Sequence, residues 1–265
     1  MPEFYRQVEA AILQSDPARK CEQTRQLVQI WEQGVSADAD STPILPIDDP
    51  GRPGKPELVD PRQLPRRSFA SETGRIRLLH AFAHIEFNAI NIALDAVYRF
   101  RRMPPDFISD WLSVAAEEAQ HFRLLEAELE QRASYYGACP AHSGLWDMVC
   151  KTRDNLLHRM ALVPRVMEAR GLDVTPAMIA RFRQFGDDAA VAILEVIYRD
   201  EVGHVRIGDY WFRRLCAEQG LDAEKTFREL VDLHMGGRLR GPFNRSARIE
   251  AGFRNEELDA LERLC

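Results

Sequence analysis

Residues 194–212 read LEVIYRDEVGHVRIGDYWF. Wound as a helix, positions 194, 197, 198, 201, 204, 205, 208 and 212 share one face and read Leu, Ile, Tyr, Glu, His, Val, Gly, Phe. Glu201 and His204 thus sit on an otherwise apolar stripe. A buried carboxylate without a partner is costly, and a metal ion is one of few partners that satisfies several at once. Glutamate and histidine at i and i+3 point the same way and can hold one metal.

The pattern recurs in residues 111–129, WLSVAAEEAQHFRLLEAEL, where Glu118 and His121 join Trp111, Val114, Ala115, Phe122 and Leu125 on one face. In residues 78–100, LLHAFAHIEFNAINIALDAVYRF, Glu86 is the one polar group on the stripe of Leu79, Phe82, Ala83, Ile90, Ala93 and Val97. Glu86 precedes Glu118 by 32 residues, and Glu168 precedes Glu201 by 33. Two helix pairs with matched spacing are what a pseudo-twofold bundle requires. One glutamate from each of two helices and one ExxH from each of the others make six ligands: Glu86, Glu118, His121, Glu168, Glu201 and His204. Carboxylates and imidazoles with open positions suit two iron ions, with manganese or a mixed iron/manganese pair as alternatives, whereas zinc usually closes at four ligands. Glu168 follows Pro164, precedes Gly171 by one turn and shares its stripe with Arg165, so a solvent-facing helix end is the competing reading there.

Further out, the chain reads as all-α. Asp16-Pro17 and Gly34 bound an N-terminal helix that follows another. Residues 35–74 are irregular and rich in Pro, Asp, Gly and Arg. Four long helices are predicted over 75–100, 106–136, 145–170 and 188–218, with Gly171 closing the third and Thr175-Pro176 starting a short insert. The expected organisation is N-terminal helices and a wrapped loop over 1–74, a ferritin-like four-helix bundle over 75–218, and a tail with a last short helix over 219–265.

The 265 residues are 45% hydrophobic and 29% charged, ordinary for a soluble domain, and the net charge of −6 argues against broad nucleic-acid binding. Five cysteines (Cys21, Cys139, Cys150, Cys216, Cys265) form no CxxC pair, which points to reduced thiols in the cytoplasm. The opening MPEFYRQVEAAILQS lacks the order of a signal peptide. Ile76–Tyr98 is long enough to span a bilayer but carries too many polar groups for a lipid-facing helix, so no membrane partner is expected.

The strings GRPGKPELVDP, ALVPRVMEARGLDVTP and the three quoted above resemble a bacterial ferritin-like family of uncharacterised function, over roughly residues 45–255. The resemblance implies a ferritin-like bundle and the same six ligands, but no reaction. More distantly the arrangement is similar to tRNA hydroxylases, rubrerythrins and di-iron oxygenases. In the oxygenases and in ribonucleotide reductases an acid before the ExxH glutamate braces a histidine across the site. Asp200 and Glu117 stand there, with Asp200 expected to be buried and to brace His121, and Glu117 either bracing His204 or solvated.

Other polar residues read as structural. His80 and His84 share a polar stripe with Arg77, Asn88, Asn91, Asp95 and Arg99, and His84 lies about 200° around the helix from Glu86. Glu195 is placed to pair with Arg199. Tyr198 and Trp211 are core residues or electron relays, and Gly208 either leaves room for oxygen or allows close packing. Arg52, Arg66, Arg67, Arg238 and Arg240 are solvated, paired with acids, or bind a phosphate-bearing substrate. The expected activity is a di-iron oxidoreductase that activates dioxygen on a small or phosphate-bearing substrate, with electrons from a separate donor protein. Iron storage, peroxide consumption and a tRNA-hydroxylase-like reaction use similar ligands and remain alternatives.

Overall fold

The computed structural model describes residues 4–34, 43–65, 67–237 and 239–263; Arg66, Arg238 and Cys265 lie outside them. Among the described residues the chain is helical, with no strand beyond an isolated bridge between Leu58 and Ala141. No helix there is long and apolar enough to cross a membrane. Contacts divide the chain into two compact units, Met1–Cys150 and Lys151–Cys265.

The first unit is built on α3 (Glu72–Arg99) and α4 (Pro105–Gln131), which pack side by side. α1 (Phe4–Leu13) lies on α3 and α2 (Pro17–Glu32) on α4. Asp16 caps α2, accepting from Arg19 N at 2.8 Å, and Ser71 caps α3 through Gly74 N. Every α3 residue from Glu86 to Tyr98 is buried, which explains why so long an apolar run belongs to a protein core. Lys20 is fully buried where α2 meets α1: its Nζ donates to the carbonyls of Ala11 (3.0 Å) and Ile12 (2.7 Å), which end α1, and to Asn91 Oδ1 (2.5 Å). Those carbonyls are the negative end of the α1 dipole.

The irregular segment is pinned on this unit. Gly51 N donates to Ile12 O, and a Cβ at 51 would collide with the Leu13 backbone. Tyr98 Oη accepts from Leu45 N at 2.9 Å, and Trp146 of α5 (Gly144–Lys151) donates to Asp48 O at 3.1 Å.

In the second unit the expected third helix is redrawn. It breaks at 152–155, where Asn155 caps a new helix, α6 (Leu156–Leu162). That helix runs through a π-helical stretch, Val163–Glu168, into α7 (Ala169–Gln184). Gly171 does not close it and Pro176 does not start an insert; both lie inside α7. The wider π turn takes up the bond that Pro164 cannot make. α8 (Asp188–Glu218) matches the expected span and is capped by Asp187 through Ala190 N. Its Gly208 faces Pro164, whose ring a Cβ would strike, so close packing is what this glycine permits.

The tail adds α9 (Ala223–Met235), α10 (Arg245–Glu250) and α11 (Asn255–Glu262). Arg165, fully buried, joins it to the π stretch. Its guanidinium pairs with Asp209 (2.9 Å) and with Glu257 of α11, and lies over the rings of Phe212, Phe227 and Phe253 at 4.1–4.6 Å.

Candidate metal centre

Glu86 reaches the interior of the first unit from the middle of α3, and Glu118 and His121 from adjacent turns of α4. All three are buried. Each offers one ligand atom, and these atoms lie within 4.8 Å of one another. His121 Nδ1 is 3.3 Å from Glu86 Oε2 and 3.4 Å from Glu118 Oε2. Glu86 Oε2 has no hydrogen bond of good geometry although it is out of reach of solvent.

Two carboxylates this close and this dry cannot both stay ionised without a cation. Burial first, and then the charge of Glu118, pushes the Glu86 carboxyl far above the usual carboxylate range. Burial works against a charged His121, yet hydrogen bonding and charge from Glu118 and Glu86 outweigh it and hold the imidazole well above its ordinary value. The cluster thus draws a positive charge to itself, and a proton on His121 supplies one. A divalent ion supplies two, to oxygen and nitrogen donors of the kind iron and manganese prefer.

In the second unit, Glu201 and His204 occupy one buried turn of α8, as the stripe predicted. Glu168 ends the π stretch and is half-buried, so the solvent-facing helix end considered for it is not what the backbone forms. Short π segments recur at functional sites because the extra residue per turn re-aims side chains.

The model of a family described as Protein of unknown function (DUF455) matches residues 13–259. The chain belongs to this family. A relative from Haemophilus influenzae (strain ATCC 51907 / DSM 11121 / KW20 / Rd), described as an uncharacterized protein, is 44% identical over 267 residues, covering 97% of this chain and 93% of that one. No solved structure matches the chain. All six expected ligands fall inside the DUF455 region.

Several neighbours differ from expectation within this DUF455 fold. Asp200 is half-buried rather than buried, because it lies at the edge of the α8 stripe, and it takes a fork from the Arg199 guanidinium (2.8 and 3.2 Å). Glu117 is also half-buried. Glu195 pairs with Arg183 across the α7–α8 turn (2.6 Å), not with Arg199. Tyr198 Oη accepts from Asn244 and so anchors the tail, while Trp211 is core. Arg52 pairs with Asp49, and the tail arginines Arg245 and Arg248 pair with Glu262 and Asp173. His80 and His84 are structural as read: His80 accepts from Gly137 N, and His84 bonds Tyr136 and His142 O. The sequence reading missed the buried Lys20 and the Arg165 hub. A lysine at the junction of two amphipathic helices and an arginine among core residues were the available signals.

Proposed function

We propose that this DUF455 protein is a ferritin-like, two-metal carboxylate oxidoreductase that activates dioxygen, with Glu86, Glu118, His121, Glu168, Glu201 and His204 as its ligand set. The buried Glu86–Glu118–His121 cluster carries the reading: three ligand atoms within 4.8 Å, from two helices, in a setting that demands a cation. The second ExxH, Glu201 and His204 on one buried face, supports it by repeating the motif. Four carboxylates balance two divalent ions, and iron, or manganese in its place, suits the donor set.

When bound, two ferrous ions would supply electrons and open positions at which dioxygen is reduced. The residues themselves do three things. Glu86 and His121 give up protons as metal enters. Their burial within the core of α3 and α4 keeps bulk water away. Asp200 and Glu117, each beside a ligand glutamate, brace the ligand histidines. Electrons come from a separate donor protein, and the substrate is a small or phosphate-bearing molecule; the tail arginines already paired with acids leave fewer groups for phosphate.

Anaerobic ferrous loading followed by air tests the proposal. About two irons per chain should oxidise and uptake should then halt until a reductant is added. Continued uptake of iron into a mineral would replace this reading with storage, and rapid peroxide loss without reductant would replace it with a catalase-like activity.

A further inference from the structure

Two histidines of the second unit, His158 and His234, meet where α6 packs on α9. His158 stands in the first turn of α6, its backbone N–H held by the Asn155 side chain at 3.1 Å. His234 stands in the last turn of α9, which Gly236 closes in the left-handed region (φ 64°). The two caps fix both backbones. His234 Nε2 then comes to 3.1 Å from His158 Nδ1, with the rings nearly perpendicular (78°).

Between neutral imidazoles, one N–H meets one lone pair across that distance. Burial first, and then the charge of His234, holds His158 below its ordinary value, so at neutral pH it has a lone pair to give. The outer nitrogens, His158 Nε2 and His234 Nδ1, take no partner among the described residues and are not sealed from solvent. The shared proton can therefore move to an outer nitrogen that faces water, which leaves two lone pairs aimed at one gap.

The gap has the width of a metal bite. Metal–nitrogen bonds of about 2.0–2.1 Å spanning the observed separation give an angle of about 100° at the metal, between square-planar and tetrahedral. A donor set of imidazoles without carboxylates favours late first-row ions, copper above nickel and zinc. Among the described residues no third His, Cys, Asp or Glu joins the pair, so water fills the remaining positions and the ion stays exchangeable.

We infer that His158 and His234 form a second, open metal site, in which two imidazole nitrogens clamp one copper, nickel or zinc ion between α6 and α9. The ion takes the place of the shared proton. It ties the tail to the helix that runs on into the π stretch. No member of the proposed carboxylate set takes part.

Titration calorimetry of the full chain with nickel and with zinc, beside magnesium, tests the inference. His158→Gln and His234→Gln should each weaken the binding of one ion roughly tenfold or more, since a lost ligand costs at least what a lost outer partner does. Magnesium, which prefers oxygen ligands, should not distinguish the variants from the wild type. Lowering the pH to about 5 should weaken uptake at this site, because the ligand nitrogens must be unprotonated. Both rings are half-buried, so neither substitution should disturb the fold; circular dichroism checks this, and either variant alone decides. Glu118→Gln should still bind this ion, whatever becomes of the carboxylate centre, so the two readings can fail separately. Binding at wild-type strength by either histidine variant, as scattered surface binding would give, overturns the inference. So does loss of this ion from Glu118→Gln, or magnesium binding that depends on the two histidines.

Discussion

His121 Nδ1 on α4 stands 3.3 Å from Glu86 Oε2 on α3, so an imidazole and a carboxylate from neighbouring helices share one buried positive charge. On the proposed reading a metal replaces that proton and prefers the folded chain, where the ligands are brought together. Ferrous or manganous ion at a hundred times its Kd should therefore raise stability by about 2.7 kcal/mol. Glu118→Ala, which removes the second carboxylate of the cluster, should lose that gain and hold fewer than about two metals per chain. Thermal melts with and without metal, and elemental analysis, check both; an undiminished metal count in the variant would remove Glu118 from the ligand set.

Asp200 separates bracing from surface pairing. If it orients a ligand, Asp200→Asn should cut metal retention by roughly tenfold while the melting temperature without metal barely moves. Its fork with exposed Arg199 contributes little on its own account, so Arg199→Ala should be near neutral. Equilibrium dialysis of the two variants decides; wild-type retention by Asp200→Asn would leave the side chain with no role beyond Arg199.

Gly208→Ala tests the close approach of α8 to Pro164. The added methyl meets the proline ring, and overpacking of this kind costs about 1–3 kcal/mol. The urea midpoint should fall accordingly, and Gly203→Ala, where a Cβ would meet only the end of the Arg206 side chain, should not lower it.

Lys20 carries a pH signature. Burial pushes its ammonium down to about 7 from 10.5, so the folded chain binds this proton less well than the unfolded chain does. The penalty is fully present below about pH 7 and is relieved as pH rises from about 7 towards 10.5, where the unfolded state alone holds the proton. Wild type should thus gain stability relative to Lys20→Met across that window. A stability difference between the two that is flat from pH 7 to 10 would show that the three carbonyl acceptors keep Lys20 charged in the folded state.

The helices that carry the first cluster were legible because their stripes are long and each is broken by a single acid or an ExxH pair. Burial of Glu86, Glu118, His121 and His204 followed from periodicity alone. The third helix was misread because Gly171 and Pro176 look like terminators locally, while tertiary packing of Leu172, Ile179 and Phe182 holds α7 together through both. A π turn leaves no sequence signature that a 3.6-residue period detects, so the placement of Glu168 had to come from the structure. Asp200 was misjudged by one position on the helical wheel: its apolar neighbours in sequence shelter it only partly. The stripe of His84, Asn88 and Asn91 reads as internal hydrogen bonding, and that is what these side chains form.

Arg165 sits three residues before Glu168 in the same π stretch and is gripped by Glu257 of α11. Anyone minimising or transplanting the second unit must therefore keep residues 255–262, even though they look like a dispensable appendage. Without Glu257 the guanidinium would keep its three phenyl rings but lose one of its two buried acid partners, and the stretch that carries Glu168 would lose its tie to α11. A cut at the far end of the chain would thus be felt, through one buried guanidinium, three residues from a carboxylate of the proposed centre.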